Sequence, residues 1–293
     1  MIGEFAALGC ALTWALTSIL IKQPVIRMGA IAVNLLRTWV AAFLFLAVLA
    51  ATGRVSLLLS LSPYTVFALI LSMAIGLGVG DTLYFHSMRL IGVSRALPIS
   101  GSYPFPTLIL AVIWLGEPLT WLHAVGTLLI VSAIYLLSLP SGKTAVATAR
   151  EDLRRGVLLA VFAALLWAFS TALLKSGVAE TDVVVANSIR LPAAGVVLLG
   201  MALRQPGGLS VRGVGVGTLV VVLASGVLGT AAGSALYLTA VIHAGAAKAA
   251  SLQSVSPFFA APLAFLFLKE RVSRSILAGT ALSVAGIWLL LSS

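Results

Sequence analysis

The stretch GEFAALGCALTWALTSILIK, residues 3–22, returns as GVLLAVFAALLWAFSTALLK, residues 156–175. The offset of 153 residues holds without a gap along both halves of the chain. Trp14 falls on Trp167, Lys22 on Lys175, and Asn34 and Arg37 on Asn187 and Arg190. Gly76, Gly80 and Tyr84 fall on Gly229, Gly233 and Tyr237. Gly92, Pro104, Phe105, Glu117 and Gly126 fall on Gly245, Pro257, Phe258, Glu270 and Gly279. Apolar composition alone aligns Leu with Leu. It does not bring Trp, Lys, Asn, Arg, Tyr, Pro and Glu into one register, so the chain is an internal duplication. The units are 1–140 and 154–293, joined by a polar linker at 141–153.

Each unit holds five apolar runs long enough to cross a bilayer as helices. They lie at 5–21, 30–51, 64–90, 96–115 and 119–139, then at 157–174, 183–203, 214–241, 247–268 and 276–290. Residues 1–4 carry no basic side chain and no cleavage signal follows, so the first run reads as a retained helix. Five is odd, so the second unit must enter the membrane from the opposite side. The expected fold is an all-α polytopic membrane protein of ten transmembrane helices, arranged as two inverted five-helix repeats.

Composition agrees. Of 293 residues, 61% are hydrophobic and only 9% charged, too few to cover a soluble globule. A lone cysteine, Cys10, excludes a disulfide framework. The net charge of +10 is scattered between apolar runs rather than clustered, which argues against a nucleic-acid partner. Thirteen basic residues lie in odd-numbered connections and three, Arg54, Lys175 and Lys248, in even-numbered ones. Basic residues gather on the cytoplasmic side, which places both termini outside.

Some charges are not explained by orientation. Lys22 and Lys175, Arg37 and Arg190, and Arg95 and Lys248 are basic in both units. Following the helices, Glu117 shares a face with Lys175, Lys248 and Arg190, and Glu270 with Lys22, Arg95 and Arg37. Ion clusters between the repeats, structural or gating, are expected there; a relic of duplication is the plainer reading.

Asp81 lies within the third run, where a carboxylate must face a cavity or a partner. Its repeat counterpart is Ser234, so duplication does not account for it. Three roles fit: a proton-titrating group, a counter-ion for a cationic solute, or a structural hydrogen bond. The fourth and ninth runs begin irregularly, with RALPISGSYPFP at 95–106 and KAASLQSVSPFFAAP at 248–262. Irregular backbone inside a membrane requires protein or water around it, and matched interruptions in two halves mark a transporter's binding site. The expected solute lining is Trp14, Thr17, Asp81, Tyr84, Ser100, Tyr103, Trp167, Ser170, Tyr237, Gln253 and Ser256. No P-loop, zinc motif or nucleophile elbow is present, and the three histidines are far apart. Neither an enzyme, a cofactor nor a bound metal is expected.

Trp14 with Lys22, Asn34 with Arg37, GVSRALPISGSYPFP, WLGEPLTWLHAVGTLLIVSAIYLL and the second copy FLKERVSRSILAGTALSVAGIWLL resemble the drug/metabolite transporter superfamily, in its EamA-type members. In the second copy Lys269 replaces the glycine before the glutamate. The resemblance implies a bacterial or archaeal inner-membrane carrier with a central cavity, often exporting amino acids or other small metabolites. Its partners would be a small-molecule solute, the lipid bilayer and, as a candidate coupling ion, protons. Relatives commonly keep their termini in the cytoplasm, whereas the loop charges here place them outside. A broad amphiphile or cationic-drug exporter, and a non-transporting scaffold or receptor, are the alternatives.

Overall fold

The computed structural model describes residues 1–91, 96, 99–137, 150–178, 181–205, 214–256, 258–259 and 274–292. Among these the backbone is helical wherever the sequence is continuously apolar. The helices are α1 (Ile2–Met28), α2 (Ala30–Ala51), the short α3 (Val55–Leu59), α4 (Pro63–Met73) and α5 (Asp81–Ile91). The first unit ends with α6 (Pro104–Ile113) and α7 (Trp121–Leu137). The second holds α8 (Arg150–Gly177), α9 (Val183–Arg204), α10 (Val216–Ser225), α11 (Gly233–Ala244), α12 (Ala246–Gln253) and α13 (Arg274–Leu291). At 1.5 Å per residue, α1 spans about 40 Å, enough for a hydrocarbon core of about 30 Å.

Six helical stretches are long and apolar enough to cross a membrane, and three shorter apolar helices accompany them among the described residues. The protein is thus an all-α, multi-pass membrane protein. The ten-run count is not reproduced in full, because residues 257 and 260–268 of the 247–268 run lie outside the described residues. Large apolar side chains such as Phe43, Phe162, Val196 and Trp288 are exposed. In water such a surface would be an aggregation hazard; in lipid it is the solvated face.

The contacts at the two ends agree with alternating passage of the chain. At one end Glu4 bonds the N-terminal amine at 2.8 Å and Lys248 at 3.4 Å. There too, Arg54 pairs with Asp182 at 2.8 Å, and the Tyr64 hydroxyl donates to Ser176 Oγ. All these residues belong to the chain start or to even-numbered connections. At the other end Ser87 Oγ donates to the Gly156 carbonyl at 2.7 Å, and Arg27 reaches Thr218, each joining an odd-numbered connection to the end of a run that borders another.

The two units are interlocked rather than side by side. α1 packs along α11, and its counterpart α8 packs along α5. α2 with α9 and α7 with α13 add further contacts between units. The third and eighth runs are not plain α-helices. A seven-residue π-helical segment, Ala74–Gly80, separates α4 from α5, and another, Gly226–Ala232, separates α10 from α11. Such wide turns are rare in helices and concentrate at functional sites. The breaks anticipated in the fourth and ninth runs also appear, as turns at 101–103 and 254–255, which are repeat equivalents.

Glycine permits the interlocking. A Cβ on Gly76 would sit 2.5 Å from Ser170 Oγ, and one on Gly229 would sit 2.6 Å from Thr17 Oγ1. Overpacking of this kind costs about 1–3 kcal/mol. Gly76→Ala and Gly229→Ala should each lower the melting temperature in detergent. Gly200→Ala, at a position with open space around it, should not.

Candidate functional site

Trp14 stands at the middle of α1 and Trp167 at its repeat-equivalent position in α8. Each indole nitrogen lies against a helix of the other unit. A Cβ on Gly80 would be 2.8 Å from Trp167 Nε1, and one on Gly233 would be 2.4 Å from Trp14 Nε1. Trp167 Nε1 donates to Asp81 Oδ1 at 2.9 Å. The second unit has Ser234 where the first has Asp81, and Trp14 Nε1 donates instead to the Gly229 carbonyl, at 3.1 Å, inside the π segment.

The tryptophans hold four further predicted residues. The Trp167 ring packs on Tyr84 at 5.4 Å and edge-on against Tyr103 at 5.8 Å. The Tyr103 hydroxyl bonds Gln253 Oε1 and lies 3.2 Å from the Ala250 carbonyl. Tyr237 packs on Trp14 at 5.9 Å, shares a 2.7 Å hydrogen bond with Thr171 and reaches the Tyr103 hydroxyl. Trp14, Asp81, Tyr84, Tyr103, Trp167, Tyr237 and Gln253 therefore form one continuous aromatic and polar seam between the units.

Four predicted lining residues are not joined to this seam. Thr17 Oγ1 donates to the Thr13 carbonyl, Ser100 Oγ to Ala96 and Ser256 Oγ to Gln253. Each hydroxyl satisfies a carbonyl three or four residues earlier, the local bond that Ser and Thr make within helices. Ser170 Oγ donates to the Ser72 carbonyl of α4 at 2.6 Å. Thr17 and Ser170 fill the space opposite Gly229 and Gly76.

The charge clusters are partly corrected. Glu117, Lys175 and Lys248 do share one end, where with His123, Ala244 and Gly245 they line a cavity of about 220 Å³. The Glu117 carboxylate, however, accepts the Ala246 and Ala247 amides at 2.6 and 3.2 Å, capping the N-terminus of α12. An anion is favoured there by the helix dipole and the free amides. Gly245, at φ +82°, makes the preceding turn, a conformation suited to glycine. Lys175 donates to the Ile242 carbonyl at 3.0 Å and Lys248 to Glu4, so neither bond runs to Glu117. Arg190 lies elsewhere, about two turns into α9, bonded to Asn187 Oδ1 at 3.3 Å and to Met73 Sδ at 3.6 Å. Arg37 interacts with Asp81. Arg95, Glu270 and the side chain of Lys22 lie outside the described residues, so the second cluster does too.

Asn187, Ser234 and Thr171 were not foreseen as members. Ser234 Oγ donates to Asn187 Oδ1 at 2.6 Å, linking α11 to the Arg190 helix. The repeated Asn-x-x-Arg of both units was the available signal. Thr171 lies one turn after Trp167, on the same helix face.

The Asp81–Trp167 bond is testable on its own. Trp167→Phe removes the donor and leaves a buried carboxylate short of a bond, a cost of about 1–3 kcal/mol. In a double-mutant cycle with Asp81→Asn, read by thermal unfolding, the two changes should couple by about 1 kcal/mol or more.

The EamA-like transporter family model matches residues 1–139 and again 154–292. An uncharacterized transporter of Archaeoglobus fulgidus is 27% identical over 293 residues, which cover 99% of this chain and 98% of that protein. A protein crystal structure superimposes with a TM-score of 0.80 at 19% identity, covering 98% of this chain and 95% of the other, a likeness of fold. The chain belongs to the EamA-like transporter family, within the drug/metabolite transporter superfamily, and is a membrane transporter.

Proposed function

We propose that this member of the EamA-like family is a secondary exporter of small organic solutes, amino acids or related metabolites, in a bacterial or archaeal inner membrane. The observation that carries the reading is the seam of Asp81, Trp167, Tyr103, Gln253, Tyr237 and Trp14, where polar and aromatic groups of both units converge beside the breaks in the helices. Polar groups at that depth mark solute pathways. The units alternate access by rocking about this seam. The Glu117 cap, the Lys248–Glu4 pair and the Arg54–Asp182 pair tie the helices together at one end. Both termini face outward, as the loop charges direct.

The chain acts as a carrier and not as an enzyme, and it draws on solute or proton gradients. The aromatic groups favour an amphipathic solute. Asp81 is already bonded to Trp167 and faces Arg37, which weighs against its serving as counter-ion to a cationic drug.

Counterflow of a metabolite panel in proteoliposomes tests the reading. Saturable exchange above empty liposomes is expected, reduced at least tenfold by Tyr103→Phe combined with Gln253→Ala. Flux no greater than that of empty liposomes for every solute would leave a scaffold or receptor as the better account. Reporter fusions at each terminus test orientation, and cytoplasmic activity would reverse it.

A further inference from the structure

Arg37 and Arg190 are repeat equivalents, but their surroundings are not equivalent. Arg37 faces the Asp81 carboxylate. In the second unit Ser234 stands in the place of Asp81, and its hydroxyl donates to Asn187 Oδ1 at 2.6 Å. That oxygen already receives Ser234 when Arg190 Nη1 approaches it at 3.3 Å. Arg190 Nη2 meets only the Met73 thioether, at 3.6 Å, and thioether sulfur is a weak acceptor. Arg190 Nε has no partner, as is true of Arg37 Nε, although Arg190 is only 4% exposed.

A guanidinium carries five donors and keeps its charge in proteins. Here it is buried beside an amide, a thioether and the Tyr237 phenol. The described carboxylates other than Asp81 are Glu4, Glu117, Glu151, Asp152 and Asp182, all at helix ends or in connections. Arg37 thus has a carboxylate near enough to attract it, whereas Arg190 has neutral neighbours among the described residues. A buried ion of this kind calls for a counter-charge.

We infer that the transported solute is an organic anion, foremost an amphipathic carboxylate, whose charged group seats on Arg190 beside Asn187 and Tyr237. This deepens the transport reading and rests on it for the word transported. Arg190 supplies a planar fork that matches the two carboxylate oxygens. The apolar body of the solute lies against Tyr237 and Trp14, which already pack together at 5.9 Å. A cavity lined by Lys175, Lys248, His123 and the Glu117 carboxylate begins one helical turn past Thr171, with two lysines against one carboxylate.

Titration calorimetry of the purified protein in detergent, with benzoate, benzamide and benzylamine as probes at fixed ionic strength, tests the assignment. Benzoate should bind saturably and at least tenfold more tightly than either neutral or cationic analogue. Asn187→Asp keeps Arg190 and adds an internal carboxylate beside it, so benzoate affinity should fall at least tenfold while the melting temperature is maintained. Arg190→Lys should weaken benzoate binding while preserving the preference for the anion. Equal binding of benzoate and benzamide, or undiminished benzoate binding in folded Asn187→Asp, would overturn the inference. Counterflow separates the two readings. Flux that ignores solute charge removes the anion assignment and leaves transport standing. Selective benzoate binding without flux of any solute removes transport and leaves the Arg190 site standing.

Discussion

Two indole nitrogens reach across from one repeat to the other only because Gly80 and Gly233 have no side chain. That close approach is the constraint on which the rest depends. It brings α1 against α11 and α8 against α5, so that each unit supplies one wall of the other's helix pair. Lipid gives helices no hydrophobic reason to associate, and small residues at the interface let dispersion and hydrogen bonds do so instead. With the backbones that near, Trp167 finds Asp81 and Trp14 finds a backbone carbonyl. The tyrosines and Gln253 are then held in the space between.

The same interlocking explains how a duplicated chain becomes chemically lopsided. Both units keep the tryptophan, the tyrosine and the arginine, so the frame stays matched. One substitution, Asp81 against Ser234, changes the electrical balance without moving the frame. One arginine has a carboxylate near it. The other is surrounded by neutral groups, and Asn187 is committed to both Ser234 and Arg190. A symmetric frame thereby carries a site with a distinct polarity.

Much of the fold was legible because its causes repeat in the sequence. The apolar runs, the 153-residue register and the parity of the runs led to helices that cross between units, and the bonds at each end follow that parity. Of the site, the large residues were legible. Trp14 and Trp167 are too deep for an interfacial belt, and they meet Tyr103 and Tyr237. The small hydroxyls were not: Thr17, Ser100, Ser170 and Ser256 look alike in sequence whether they face a solute or their own backbone. Glu117 was misread for a related reason. Its partners are two amides of α12, and backbone donors leave no mark in a count of basic side chains. The π segments were hidden because their glycines also fit ordinary close packing.

Those π segments alter how the helices should be numbered by face. Every residue taken up in a wider turn moves whatever follows by about 100° around the axis, the angular step of an α-helix. Asp81 and Tyr84 come after one such segment, and Ser234 and Tyr237 after the other. The half of each helix that carries the seam is therefore out of phase with the half before it. A stripe of residues drawn through Ser72 and onward to Tyr84 by simple helical spacing describes no real surface. For this chain, single-residue insertions and deletions near 74–80 and 226–232 act as rotations. They set which side chains look toward the other repeat, in a way that substitutions at the same positions cannot imitate.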